Sequence, residues 1–172
     1  MNAHFAVVLD RERARLSAVT DVAGLVRWRQ RVVEELLTPR SPYSLALRHR
    51  DDGEARAEFV SEWQELIAAA IARVQRKIEA EARDRAAGGS ARRHADDRPN
   101  APCPPPTPGI DPERTAVLIL AALHGGGALS RLKRDPCALD AALDLALAPL
   151  ISPRHDEDED AERAGTLSSM DA

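Results

Sequence analysis

Aromatic side chains are scarce in this 172-residue sequence, with two Trp, two Phe and one Tyr. All five (Phe5, Trp28, Tyr43, Phe59 and Trp63) lie in the N-terminal half. An aromatic on an apolar stripe is ordinarily core, with a pocket wall as the alternative. Cysteine is almost absent too. Cys103 and Cys137 form no close pair and sit near no histidine cluster, which excludes a disulfide framework and a zinc-binding pattern. A reducing, cytoplasmic setting is expected. Basic excess is missing as well. The net charge is -4, with 18 Lys+Arg against 16 Asp+Glu in residues 1–100 and 6 against 12 in residues 101–172. A chain built mainly to hold nucleic acid needs a clustered basic surface, and this one has none. The longest strongly apolar run, Val117 to Leu123, is far shorter than the ~20 residues of a membrane span, and no basic segment precedes the short apolar patch near Met1. Neither export nor a membrane partner is expected.

No stretch alternates apolar and polar residues long enough to suggest a sheet, and the periodicity is helical nearly throughout, so the fold class is all-α. A first helix over about 2–18 turns Phe5, Val8, Leu9 and Leu16 to one side. Thr20 is expected to cap a second, over about 21–37, in which Leu25, Trp28, Val32, Val33 and Leu36 recur at three- and four-residue steps. The prolines of "TPRSP" (38–42) end it. After a short helical segment from Tyr43 to Arg50 comes the longest helix, about 52–82. Its stripe of Phe59, Val60, Trp63, Leu66, Ile67, Ala70, Ile71, Val74 and Ile78 is expected to face inward, and Glu58, Glu62, Glu65, Arg73, Arg76 and Lys77 to fill the other face.

Residues 84–108 change composition, with six prolines between Pro99 and Pro108 and few large apolar side chains, and read as a disordered proline-rich linker. Two helices follow, each opened by Asp-Pro: "DPERTAV" at 111 and "DPCALDA" at 135. The first, about 112–133, is apolar on almost every side from Val117 to Leu123. The second, about 136–151, sets Leu139, Leu143, Leu147 and Leu150 against Asp140 and Asp144. Residues 153–172 form an acidic, small-residue tail expected to be disordered.

Motifs that carry chemistry are thin. "DEDED" (156–160) lacks the spaced ligands and glycine turn of a calcium loop. "GGGALS" (125–130) follows no strand and precedes no Gly-Lys-Ser/Thr, so it is no phosphate loop. His124 has no Ser, Cys or Asp at a recognisable partner spacing. Arg27, Arg29 and Arg31 step by two and scatter around their helix instead of sharing a DNA-facing side. No enzymatic activity, metal or cofactor is expected.

The order of elements nevertheless resembles a known family. The segments "LDRERARLSAVTDVAGLVRWRQRVVEEL", "EARAEFVSEWQELIAAAIARVQ" and above all "DPERTAVLILAALHGGGALSRLKRDPCALDAALDLALAPLI" are similar to the C-terminal domain of TetR-family (tetracycline-repressor-like) transcriptional regulators. The resemblance covers about 1–83 and 109–152 and implies a single antiparallel bundle of five to six helices. It implies a pocket for a small apolar effector, with Trp28, Val32, Tyr43, Trp63, Ile67 and His124 as candidate walls. It also implies a homodimer paired through the last two helices, with Leu120, Leu123, Gly126, Leu139, Leu143 and Leu147 as candidate interface residues. The family's helix-turn-helix has no counterpart in this sequence, so direct DNA binding is not expected of it. The implied function is ligand sensing and dimerisation. The alternative is an interaction protein that forms mixed dimers with an intact regulator and weakens its DNA binding.

Gly125, Gly126 and Gly127 oppose helix formation by about 2–3 kcal/mol together. Close packing of another helix, a break in this one, or room for a ligand would offset that, and packing and pocket both stand at the level of sequence.

Overall fold

Helix α1 (Ala3–Ser17) buries Phe5, Val8, Leu9 and Leu16, and places Glu12 on that same stripe. The computed structural model describes residues 3–48, 53–90 and 110–151, and among them are six helices and no strand. The molecule is an all-α helical bundle.

Helix α2 (Val22–Leu37) is capped by Asp21, whose carboxylate accepts the Gly24 amide at 2.7 Å; the cap is therefore one residue beyond the expected Thr20. Asp and Thr both cap well, and the bonded geometry selects Asp21. Helix α3 (Pro42–Arg48) is short and buries Tyr43, Ala46 and Leu47.

Helix α4 (Gly53–Ser90) has 38 residues, so it is roughly 57 Å long. It runs past the expected end near 82, and residues 84–90 belong to this helix, not to a linker. The sequence from Asp84 to Ala87 holds no large apolar residue, yet Arg and Ala are among the best helix formers, and propensity carries the helix onward. The proline-rich residues 91–109 and the tail 152–172 lie outside the described residues.

Helices α5 (Pro112–Lys133) and α6 (Cys137–Ile151) start where the two Asp-Pro pairs require. Asp111 accepts the amides of Glu113 and Arg114 at 3.0 and 3.2 Å, and Asp135 accepts that of Cys137 at 3.0 Å. The two helices pack on each other, α5 also lies on α4, α1 lies on α3 and α4, and α2 bridges α3 and α6. Arg29 ties α2 to α6 by pairing with Asp140 and Asp144 at 3.0 and 2.7 Å. Arg73 of α4 donates to the Leu16 and Val19 carbonyls at and just beyond the end of α1, where Leu16 also accepts the Val19 amide at 3.1 Å.

The core contains all five aromatics. Phe5 stacks on Phe59 with centroids 4.5 Å apart, Phe59 lies 5.4 Å from Trp63, and Tyr43 meets Trp63 edge-on at 6.0 Å.

Candidate functional site

Three of the residues expected to wall an effector pocket converge on a group the sequence reading passed over. Glu12 is fully buried. Its Oε2 accepts the indole N–H of Trp28 at 2.8 Å and of Trp63 at 3.0 Å, and its Oε1 accepts the Tyr43 hydroxyl at 2.5 Å. Arg15 adds a long ion pair at 3.9 Å and donates to the Tyr43 oxygen at 3.0 Å. Burial pushes the Glu12 carboxyl above its ordinary value, against Tyr43, Trp28, Trp63 and Arg15, all of which favour the charged form. The same burial, reinforced by the Glu12 charge, pushes the Tyr43 phenol strongly upward. Four helices are thereby pinned at one point, by donors that have no other acceptor.

These aromatics are spent on an internal carboxylate instead of lining an open cavity. Tyr43, Trp63, Val32 and Ile67 are fully buried and line neither the cleft between α1 and α2, nor the one at His124, nor the one at the α5–α6 turn. Trp28 forms the floor of a cleft of about 290 Å³ between α1 and α2, beside Arg15, Arg27 and Arg31. His124 borders a different one, about 340 Å³, with Arg56, Gln64, Val117 and Leu120. The six expected pocket residues therefore do not share a pocket. His124 lies with Nδ1 2.8 Å from the Leu120 carbonyl oxygen. A carbonyl only accepts, so Nδ1 carries the proton. Burial lowers the basicity of the ring, and the charges of Arg56 and Arg131 lower it further, against the Leu120 carbonyl.

The expected interface residues are corrected in the same way. Leu123, Leu139, Leu143 and Leu147 are fully buried within one chain and Leu120 nearly so. A Cβ on Gly126 would lie 2.9 Å from Leu139 Cα, so this glycine lets α6 approach α5 in the same molecule. The amphipathic stripe seen in the sequence is the intramolecular one, because a two-helix contact inside the chain uses the same leucines that a dimer would.

The outward face is a different set. On α5, Leu118 and Leu129 are each about half exposed and Leu132 is 81% exposed, with the small exposed residues Ala121, Gly125 and Ala128 between them. Spacings of three, four and seven residues place them along one side of the helix. On α6, Leu145 is 78% exposed and Ala141 lies one turn before it. Gly125 is informative: a Cβ there would have nothing within 4 Å, so among the described residues no neighbour requires glycine. By length and composition α5 is apolar enough to cross a membrane, with mean hydropathy 1.4 over 18 residues of which half are buried. The uninterrupted run 117–123 understated this, since Ala and Gly extend the apolar composition. Packing on α4 and α6 covers one side of the helix and leaves the other bare.

Among the described residues no group of His, Cys, Asp or Glu is placed to hold a metal ion. No protein-family model, curated protein or solved structure matches the chain.

Proposed function

We propose that the chain is a ligand-sensing and dimerising domain of the TetR regulator type, acting in the cytoplasm as a homodimer and carrying out no catalysis. The observation that carries the pairing is the bare apolar side of α5 and α6, with Gly125 in its middle. A glycine in mid-helix costs about 0.5–1 kcal/mol relative to alanine, and no neighbour within the chain uses the space it leaves. A twofold mate that brings its own α5 close to Gly125 would use it. Exposed leucines flanked by small residues form a self-complementary surface of the kind isologous interfaces use. Such a patch is otherwise a liability in water. The resemblance in the order and polarity of the segments supports the regulator type, and the all-α bundle is compatible with it.

The test is sedimentation of the full chain. Wild type is expected to sediment as a dimer at micromolar concentration. Leu118→Glu with Leu145→Glu, both at exposed positions, is expected to yield a monomer of unchanged helicity by circular dichroism. A compact wild-type monomer at that concentration overturns the proposal.

A further inference from the structure

A cleft of about 540 Å³ lies where the end of α2, helix α3 and the α5–α6 turn meet. Leu36, Leu37, Pro39 and Pro136 form its apolar walls, and Arg48, Arg131 and Arg134 bring three guanidinium groups to it. We propose that this cleft binds a small organic anion, a carboxylate or phosphate monoester with an apolar body, held by Arg131, Arg134 and Arg48.

Three observations point there. First, among the described residues no carboxylate pairs with any of the three arginines; every ion pair found there lies elsewhere in the bundle. The one acid lining the cleft, Asp135, is engaged with the Cys137 amide. Second, Nη1 of the half-buried Arg131 is shielded from solvent with no hydrogen-bond partner, which leaves one donor of that guanidinium unanswered. Burial and, after it, the nearby Arg48 charge lower the basicity of Arg131. An anion in the cleft would relieve both costs. Third, Arg134 ends α5 in the left-handed region at φ 55°, where glycine is the usual residue. An arginine there places a guanidinium at the cleft instead of relaxing the turn.

The cleft between α1 and α2 is also rich in arginine, but two of its three arginines face a carboxylate. Arg15 pairs with Glu35 at 3.2 Å, and Arg27 interacts with Asp21. It is also smaller, about 290 Å³. Compensation therefore selects the α2–α3–α5 cleft.

As a sensing site this inference rests on the function proposed above, but binding and pairing are measured separately. Calorimetric titration of the full chain with octanoate, octyl phosphate, 1-octanol and inorganic phosphate tests it. Saturable binding of octanoate or octyl phosphate, one per chain, is expected, and whichever is tighter tells the carboxylate from the phosphate ester. Octanol and inorganic phosphate are each expected to bind at least about tenfold more weakly, since one lacks the charge and the other the apolar body. Arg131→Gln, and independently the exposed Arg134→Gln, are expected to weaken binding about tenfold or more, and Arg31→Gln to leave it unchanged. Binding of neither amphiphilic anion, equal binding of octanol, or loss with Arg31→Gln in place of Arg131→Gln overturns the proposal. Anion binding by a monomeric chain would remove the dimerising function and leave this site standing. A dimer that binds none of the probes would do the reverse.

Discussion

Replacing Glu12 by leucine tests whether the polar knot at the centre of the bundle holds it together. Leucine fits the stripe that Phe5, Val8, Leu9 and Leu16 define, and it removes a buried carboxyl that burial disfavours. On hydrophobic grounds alone the variant gains about 1.5–3 kcal/mol. Yet the indole N–H groups of Trp28 and Trp63 and the Tyr43 hydroxyl then face hydrocarbon, and each buried donor without an acceptor costs about 1–3 kcal/mol. Three such losses outweigh the gain, and we expect Glu12→Leu to lose about 3–5 kcal/mol in urea unfolding at neutral pH, followed by far-ultraviolet circular dichroism. Glu12→Gln keeps an oxygen for the two indoles and falls between the two proteins. The pH dependence has a fixed sign. The folded Glu12 titrates above its ordinary value near 4.5, so its contribution is fully present below that pH and is lost as pH rises through the folded-state value. The stability of wild type relative to Glu12→Gln therefore declines from acid toward neutral pH. A Glu12→Leu protein within about 1 kcal/mol of wild type would show that the three donors find other partners and would refute the reasoning.

Gly126→Ala is expected to lower the thermal midpoint, because its Cβ meets Leu139 Cα at 2.9 Å and backbone cannot yield cheaply, at a cost of about 1–3 kcal/mol. In the monomeric Leu118→Glu, Leu145→Glu background, Gly125→Ala meets nothing within 4 Å and is expected to stabilise the chain by up to about 1 kcal/mol; equal midpoints for the two glycine variants there would contradict the packing. Asp21→Ala removes the cap of α2 and is expected to cost about 1 kcal/mol in denaturant titration, whereas Thr20→Ala changes little. His124 titrates below its ordinary value of 6.5, so its contribution is present above that pH and is lost as the pH falls through the folded-state value. Urea midpoints of His124→Gln between about pH 7 and 5 are expected to fall less than those of wild type.

The helices were legible because their signals are local. Asp-Pro starts, the prolines after Leu37 and the apolar periods mark α2, α5 and α6 to within a residue or two. The end of α4 was not, since loss of apolar residues was read as loss of helix, and Arg and Ala need no apolar neighbour to remain helical. Glu12 carried a signal that was overlooked: positions 5, 8, 9, 12 and 16 continue one helical stripe, so an acid at 12 had to be buried. Its partners were not readable, because Trp28, Tyr43 and Trp63 come from three other helices whose relative placement periodicity does not encode. The same limit explains the interface residues. Leu139, Leu143 and Leu147 announce a buried stripe, but a stripe does not say whether its cover is α5 of the same chain or of another.

The three glycines separate once the helix is turned in space. Successive residues point about 100° apart, so a run of three never serves one neighbour. Gly126 faces α6 and admits it at a distance no side chain permits. Gly127 points toward the Arg131 guanidinium, whose Nη1 would lie 3.4 Å from its Cβ. Gly125 points outward into open space. Close packing thus accounts for one glycine, and the helix has no positive-φ glycine, so a backbone break accounts for none. Alanine at 127 makes an ordinary contact and alanine at 125 makes none, so the cost these two glycines add to α5 is repaid by nothing inside the chain. Their neighbours are where an external group would have to sit: a second α5 at Gly125, an anion beside Arg131 near Gly127.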